Sequence, residues 1–363
     1  MDDAGTRGAV VPRISIPMHP ECRAVAIVPA RDEAETLGAT LRAFAGQVDG
    51  IGRPLPRSSF EVIVLANNCR DDSAAIARRF AASAPGLTLQ VAEAEFPPEV
   101  AHVGTSRKWL MDEACRRLLG SGKPRGVIAS TDGDSRVGPT WLFETWRAVD
   151  RGADAVGGDI RTDRAGRLAL CARTRRSYLR DVLYRRLVDE LASRLDPDPR
   201  DPWPRHHHHT GASLAITARA YREVGGLPPL RSSEDLALVA AVRRAGLALR
   251  HAPRVRVVTS TRRLGRAAGG MADTLLGWTD GPDDLRVEDP RATEARLAAA
   301  RGLPAGLLPP ADGGDPIPID RAIADLRRRL ATLRPIGRSS PAVPEFLEQV
   351  DAVGGFPSPV PMF

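Results

Sequence analysis

Lysine is almost missing from this chain: Lys108 and Lys123 are the two lysines in 363 residues, and arginine supplies the rest of the 52 basic side chains. Arginine at that level, alongside many Ala, Gly and Pro, reads as GC-rich coding rather than a selected basic patch. The formal net charge of +7 therefore gives no argument for a nucleic-acid partner. Arginine-lined clefts still suit phosphorylated substrates. Cysteine is scarce as well. Cys22, Cys69, Cys115 and Cys171 stand far apart with no C-x-x-C pair, which argues against a disulfide framework and for a reduced, cytosolic protein. No stretch of 18 consecutive apolar residues occurs, so no membrane span is expected. The start, Met1-Asp2-Asp3, is acidic and runs into Gly, Pro and Arg, unlike a signal peptide or an anchor.

What remains is ordinary for a soluble globular protein, with 42% hydrophobic and 27% charged residues. A chain of this length buries a large core, either as one large domain with an appendage or as two domains. The stretch the rest is organised around is Val127-Ile128-Ala129-Ser130-Thr131-Asp132-Gly133-Asp134-Ser135. A short apolar run after the breaker Lys123-Pro124-Arg125-Gly126 predicts a buried parallel strand, ending on two carboxylates one residue apart. Ligands of open α/β sheets bind at the carboxyl ends of strands. Paired hard oxygens at such a place suit Mg²⁺ or Mn²⁺, which in turn neutralises a diphosphate. An Asp-Gly-Asp turn of solvated residues is the plainer alternative.

In chain order, Ala24-Val25-Ala26-Ile27-Val28 predicts a first strand stopped near Pro29, followed by a helix from about Glu33 to Phe44. Phe60 to Leu65 predicts a second strand, with Asp72 or Ser73 capping a helix over 73–84. Leu87 to Val91 predicts a third strand, before a helix over 105–119. Strands and helices alternating in this way call for a doubly wound, mostly parallel sheet flanked by helices. Residues 172–195 predict an amphipathic helix, with Leu179, Leu183, Leu187 and Leu191 four apart among many arginines. Core packing is its simpler reading, and contact with an anionic membrane surface stays open. Beyond about 270 the pattern loosens: a Gly-, Pro- and Asp-rich loop over 302–318, a helix over 319–333, another over 344–352 and an extended Pro-rich end.

The motifs taken together carry a resemblance. Val28-Pro29-Ala30-Arg31-Asp32-Glu33, Asn67-Asn68-Cys69-Arg70-Asp71 and Thr131-Asp132-Gly133-Asp134-Ser135 occur in that order. They are followed by Thr210-Gly211-Ala212-Ser213, Tyr221 to Leu227 and Ser233-Glu234-Asp235. The set resembles a family 2 glycosyltransferase of the GT-A fold over about residues 22–260. The resemblance implies a GT-A-type α/β fold with a helical C-terminal extension: a lead over 1–22, a glycosyltransferase domain over 23–265 and an extension over 266–363. The domain divides into a nucleotide-binding half, 23–135, and an acceptor half, 136–265. It further implies a nucleotide-diphosphate sugar donor, held by Pro29, Ala30, Arg31, Glu33 and Asn67, with Lys108 as a phosphate or sugar contact. Asn67 stands where the family usually has an acidic residue, which loosens the choice of base. By the same resemblance Asp134 binds Mg²⁺ or Mn²⁺, Asp132 assists and faces the ribose or sugar, Asp235 is the catalytic base, and Glu234 positions it or binds acceptor.

Other features have two readings each. Ser232-Ser233-Glu234-Asp235 also reads as an acidic helix start. His206-His207-His208-His209 reads as a mobile acceptor-side loop before it reads as a metal site. His251 is a further metal ligand or a surface histidine. Arg262, Arg263 and Arg266 meet a diphosphate or an anionic acceptor, or form a solvated basic run. The Q-x-x-R-W motif of membrane-bound polymer synthases is missing, so a soluble enzyme adding one sugar is expected, inverting in the sense that Asp235 acts as base. A retaining transferase of the same fold and a non-catalytic sugar-nucleotide-binding scaffold are the alternatives. The acceptor hydroxyl belongs to a small molecule, a glycan or a lipid-linked substrate.

Overall fold

The computed structural model describes residues 13–262, 270–281, 284–299 and 315–334. The first half alternates strand and helix: β1 (Ala24–Ala30), α1 (Leu37–Ala45), β2 (Phe60–Asn67), α2 (Ser73–Ser83), β3 (Leu89–Ala94), α3 (Val103–Gly120) and β4 (Val127–Ser130). The second half adds β5 (Ser135–Val137), α4 (Trp141–Asp150), β6 (Ala155–Thr162), α5 (Arg164–Ala169) and α6 (Ala172–Leu195). It continues with β7 (Leu214–Thr217), α7 (Ala218–Glu223), α8 (Glu234–Arg244) and β8 (Leu249–Thr259). Helices α9 (Met271–Asp280), α10 (Pro290–Ala299) and α11 (Ile319–Thr332) follow.

Eight strands form one sheet in the order β3-β2-β1-β4-β7-β6-β8-β5. Strands β1 to β4 pair in parallel, and β6 pairs in parallel with β8. Strand β7 runs antiparallel between β4 and β6, and β5 closes the edge antiparallel to β8. Helices cover both faces, which is why the central strands read as unbroken apolar runs. On one face Ala24, Ala26 and Val28 pack with Leu37, Leu41 and Phe44 of α1 and with Trp141 and Trp146 of α4. On the other, Val25 and Ile27 pack with Leu110, Met111, Ala114 and Leu118 of α3. Each fully buried Leu, Ile or Phe contributes roughly 1.5–3 kcal/mol. Residues 13–22 are tied on by Arg117, which pairs with Glu61 at 2.6 and 2.7 Å and donates to the Ile16 carbonyl at 2.9 Å.

A third apolar cluster stands apart from the sheet. Tyr178, Leu179, Leu183 and Leu191 of α6 meet Leu275 of α9 and Ile323, Leu326 and Leu330 of α11. The 172–195 helix thus spends its leucine stripe on the C-terminal helices.

Several boundaries differ from the sequence reading. The helix expected from Glu33 begins at Leu37, because Asp32 takes a left-handed φ of 52° and residues 34–36 form a turn. The fourth strand ends at Ser130, not Asp132, and the third is Leu89–Ala94 rather than 87–91. The α2 start is held not by an Asp72 side chain but by Asp71, which accepts from the Ser73 amide at 3.0 Å. In the 302–318 stretch, Ile317–Pro318 pairs with Arg286–Val287; 300–314, the helix over 344–352 and the Pro-rich end lie outside the described residues. Arg263 and Arg266 lie outside them too.

Candidate active site

The loop Thr131–Asp134 leaves β4 in the middle of the sheet and is laced to the turn before β7. Ser130 Oγ donates to the Gly211 carbonyl and Thr131 Oγ1 to the Ala212 carbonyl, both at 2.9 Å. Gly133 is required here by close approach: a Cβ would stand 3.0 Å from Glu33 Cγ and 3.2 Å from the Pro29 carbonyl. Its own carbonyl accepts from Thr40 at 3.0 Å, so the strand-end loops of β1 and β4 are packed directly together. Asp134, Asp132 and Glu33 therefore share one small space. Arg262 answers them, with bonds of 2.8 and 3.0 Å to Glu33 and 3.1 Å to Asp134. Burial, and then the charges of Asp132 and Glu33, push the Asp134 carboxyl up to about 6 against the pull of Arg262.

Arg107 joins this loop to the second acidic pair. It lies in α3 with a side chain 4% exposed, donates to Asp132 at 2.6 Å and also pairs with Glu234, itself 3% exposed. Its guanidinium rests on Gly211, where a Cβ would lie 2.3 Å from Arg107 Cζ. Ser233 precedes α8 with a left-handed φ of 61°, which aims the first helical turn at this spot. Asp235 then accepts from the Gly211 amide and from the Leu236 amide, both at 2.7 Å. So Asp132 and Glu234, about a hundred residues apart in sequence, meet on one arginine, with Asp134 and Asp235 next to them in the chain. Lys108, the neighbouring residue singled out by sequence, is instead paired with Asp112 on its own helix at 2.7 Å and does not join them.

The residues that the sequence reading gives to the nucleotide form a clasp between two strand ends. Arg31 donates to the Ala101 carbonyl at 2.8 Å. Asp32 accepts from the Arg70 amide at 2.7 Å, Asp71 accepts from the Ala34 amide at 2.8 Å, and the Glu33 amide donates to Ser73 Oγ at 2.7 Å. Asn67 ends β2 and is buried, while its neighbour Asn68 cross-links both backbone groups of Phe96 at 2.9 and 3.1 Å. Asp32, Cys69 and Asp71 have ligand atoms within 4.8 Å of one another. Those carboxylates already hold backbone amides, and burial pushes the Cys69 thiol up, so the group reads as a structural tie. Pro29 and Ala30 line the same junction from β1. Beside Asp134, a cavity of about 270 Å³ opens between Thr36, Arg136, Asp163 and Thr259.

The histidine run is packed, not a solvated loop. His206 and His251 are buried, and the main chain at His208 crosses so close to β6 that a Cβ on Gly157 would meet its carbonyl at 2.3 Å. Asp201 accepts from His251 Nδ1 at 2.7 Å, and His251 Nε2 lies 3.0 Å from His209 Nδ1. His207 meets Asp189 at 2.9 Å. His208 Nδ1 accepts from the Ile160 amide at 3.1 Å and stands 3.6 Å from Asp159. The facing cations are Arg205, 3.9 Å from Asp201, Arg250, 2.7 Å from it, and Arg243. Burial holds His206 well below the ordinary imidazole range and, with the charges of His251 and Arg243, brings His209 down to about 3.

These neutral imidazoles predict acid sensitivity. A group whose pKa falls on folding binds its proton more tightly in the unfolded chain, so stability drops as pH falls below about 6.5. Each such histidine costs up to about 2 kcal/mol between pH 7 and pH 5. Asp159 and Asp201, whose carboxyls are held low, lose their contribution only below about pH 4. Thermal melts at pH 7, 6 and 5 should therefore show a falling midpoint, with a shallower fall in His206→Asn. An identical pH slope in the variant would refute the assignment.

A mostly parallel α/β sheet with two carboxylates after its central strand, and two more brought back to them at a helix start, is the framework of a GT-A glycosyltransferase. The chain belongs to the glycosyltransferase-like family 2, whose model matches residues 20–268. No curated protein matches the sequence. Among solved structures it is similar to the mannosyltransferase PcManGT from Pyrobaculum calidifontis in complex with GDP-Man and Mn²⁺, with 18% identity and a TM-score of 0.45 over 93% of this chain and 76% of that one. It is also similar to S. aureus TarS 1-349 in complex with UDP-GlcNAc, with 14% identity and a TM-score of 0.45 over 91% and 79%.

Proposed function

We propose that this glycosyltransferase moves a single sugar from a nucleoside-diphosphate sugar to an acceptor hydroxyl, with inversion and with a divalent ion. The observation that carries the reading is Arg107, which binds Asp132 and Glu234 at once and so sets the donor carboxylates beside the acceptor carboxylates. The donor set fits Mg²⁺ or Mn²⁺: Asp134, Asp132 and Glu33 crowd one guanidinium, and the Asp134 carboxyl is raised by burial and by that crowding. Asp134 with Asp132 would hold the ion, which when bound neutralises the leaving diphosphate. Pro29, Ala30, Arg31, Glu33 and Asn67 form the wall for the nucleotide. Lys108 is a donor contact only if it leaves Asp112.

Asp235, fixed by two backbone amides, takes the proton of the acceptor hydroxyl as its oxygen bonds to the anomeric carbon. The bond to the diphosphate oxygen breaks on the opposite side, and the nucleoside diphosphate leaves with the electron pair. Glu234 stays on Arg107 and holds the α8 start in place. Residues 23–265 make up the catalytic unit and 266–363 an extension docked on α6. Four free cysteines suit the cytoplasm, and among the described residues no helix is long and apolar enough to cross a membrane, in keeping with single addition.

Calorimetric titration with UDP, GDP, ADP and their sugar conjugates tests this. Micromolar binding of one nucleotide with Mn²⁺ or Mg²⁺, lost in EDTA and in Asp134→Ala, is expected. Binding indifferent to EDTA would remove the metal from the proposal, and no binding to folded protein would remove the donor.

A further inference from the structure

Strand β6 carries a row of charge that the transfer chemistry does not use. Between Gly158 and Asp159 the β6–β8 register shifts: Gly158 lies opposite Ala252, yet Asp159 lies opposite Arg256. The extra residues Pro253 to Val255 form a bulge, a device that re-aims side chains beside active sites. Here it sets Arg256 across from Asp159, and Arg256 is held there by donating to the Pro253 carbonyl at 3.1 Å. Directly opposite residues and those two apart share a face. Arg161, Arg256, Asp159 and, through Val258, Arg136 of β5 therefore lie on one side of the sheet.

One cation on that face, Arg256, stands without a carboxylate among the described residues. Arg136 is matched by Asp163 at 2.9 Å. Asp159, 4% exposed, is met by Arg161 at 2.9 Å and by Arg186 of α6 at 3.9 Å. Arg256 has no carboxylate within ion-pair distance among the described residues. Burial, and then Arg161, hold its guanidinium below the ordinary arginine value. An exposed cation crowded by like charge and given only a carbonyl is free to receive an anion.

The row is also in the right place. Ser135, next to Asp134, lies opposite Thr259, which lies opposite Thr162. Arg161 is thus two strands from the metal-side carboxylates, or about 10 Å at ~4.8 Å per strand. Further along, β6 pairs Gly157 with Leu214, next to the turn whose Gly211 amide Asp235 holds. An acceptor with its hydroxyl at Asp235 and a charged group at the other end would span the two.

We propose that Arg161 and Arg256, with Arg186 behind them, form an anion subsite that receives a phosphate group of the acceptor. The reading rests on the transferase assignment above, and it selects a phosphorylated acceptor over a neutral one. Arg256, with Arg161 beside it, offers guanidinium forks to the charge of about −1.5 to −2 that a phosphate monoester carries.

The test uses the full chain and inorganic phosphate as probe, titrated calorimetrically into wild type, Arg256→Gln and Arg161→Gln/Arg256→Gln. Saturable phosphate binding is expected, weakened severalfold in the single variant and at least tenfold in the double. Nucleotide binding with Mn²⁺, measured on the same samples, is expected to stay within twofold, so failure of the donor reading and failure of the subsite show in different titrations. Arg256 has no ion pair to lose among the described residues, so Arg256→Gln keeps its thermal midpoint and remains informative should the double variant unfold. Co-sedimentation with phosphatidylglycerol vesicles but not phosphatidylcholine vesicles, lost in the variants, identifies a lipid headgroup. Phosphate binding without vesicle binding identifies a soluble phosphorylated acceptor. Unchanged phosphate affinity in the variants, or no saturable binding to wild type, overturns the proposal.

Discussion

Asp235→Asn leaves nucleotide binding in place and removes turnover. The substitution keeps size and shape, and an amide oxygen can still accept the 2.7 Å bond from the Gly211 amide, so the turn before β7 keeps its position. What is lost is a group able to take the hydroxyl proton. General-base help contributes typically about 10²- to 10⁴-fold, and the rate of nucleoside diphosphate release, to water or to acceptor, should fall in that range. Affinity for the metal-bound nucleotide should change less than threefold, because Asp132 and Asp134 reach the cluster through Arg107 and Arg262, not through Asp235. Asp134→Ala is the mirror case, losing metal-dependent binding first. Near-normal turnover in Asp235→Asn would falsify the base assignment, and a product of retained configuration would give Asp235 another role.

The parts of this site that sequence shows are those set by local chemistry. Apolar runs that give way near Pro29, Asn67 and Asp132 point to the strand ends at Ala30, Asn67 and Ser130, because a strand buried on both faces carries few polar side chains. The α6 boundaries at Ala172 and Leu195 follow from leucines four apart. Its partner does not, since the same stripe would suit the sheet, a membrane surface or α11, and only the fold chooses. Lys108 stands out by its rarity, but helical phase is the better guide. Arg107 sits three, four and seven residues before Leu110, Met111 and Ala114, all buried, so its guanidinium has to enter the core and find carboxylates. Lys108 falls a residue off that face and meets Asp112 one turn on. The histidine run misleads for a related reason: four imidazoles after proline-rich turns look solvated, whereas Gly157 and Gly158 leave β6 bare enough for the chain to lie against it. The bulge opposite Asp159 has no sequence signature beyond Pro253.

Arg107→Met should be the most destabilising single change in the active site, and the reason separates structure from catalysis. A buried ion pair is close to neutral overall, because desolvation offsets attraction, but removing one partner strands the other. With Arg107 gone, Glu234 would be left at 3% exposure with its charge uncompensated, a cost of about 3–5 kcal/mol. Asp132, at 35% exposure, can turn to water and adds little. Urea unfolding should therefore show Arg107→Met losing that amount, while Arg107→Met/Glu234→Met recovers most of it, since an apolar pair of similar volume satisfies the same space. Activity should stay lost in both. A thioether in place of the guanidinium cannot hold the Asp132 loop against Gly211, and the α8 start that presents Asp235 loses its anchor. Recovery of stability without recovery of transfer makes Arg107 a positioning residue; a single variant as stable as wild type would mean that Glu234 is not buried as a charged group and that the two acidic pairs are joined by something other than this arginine.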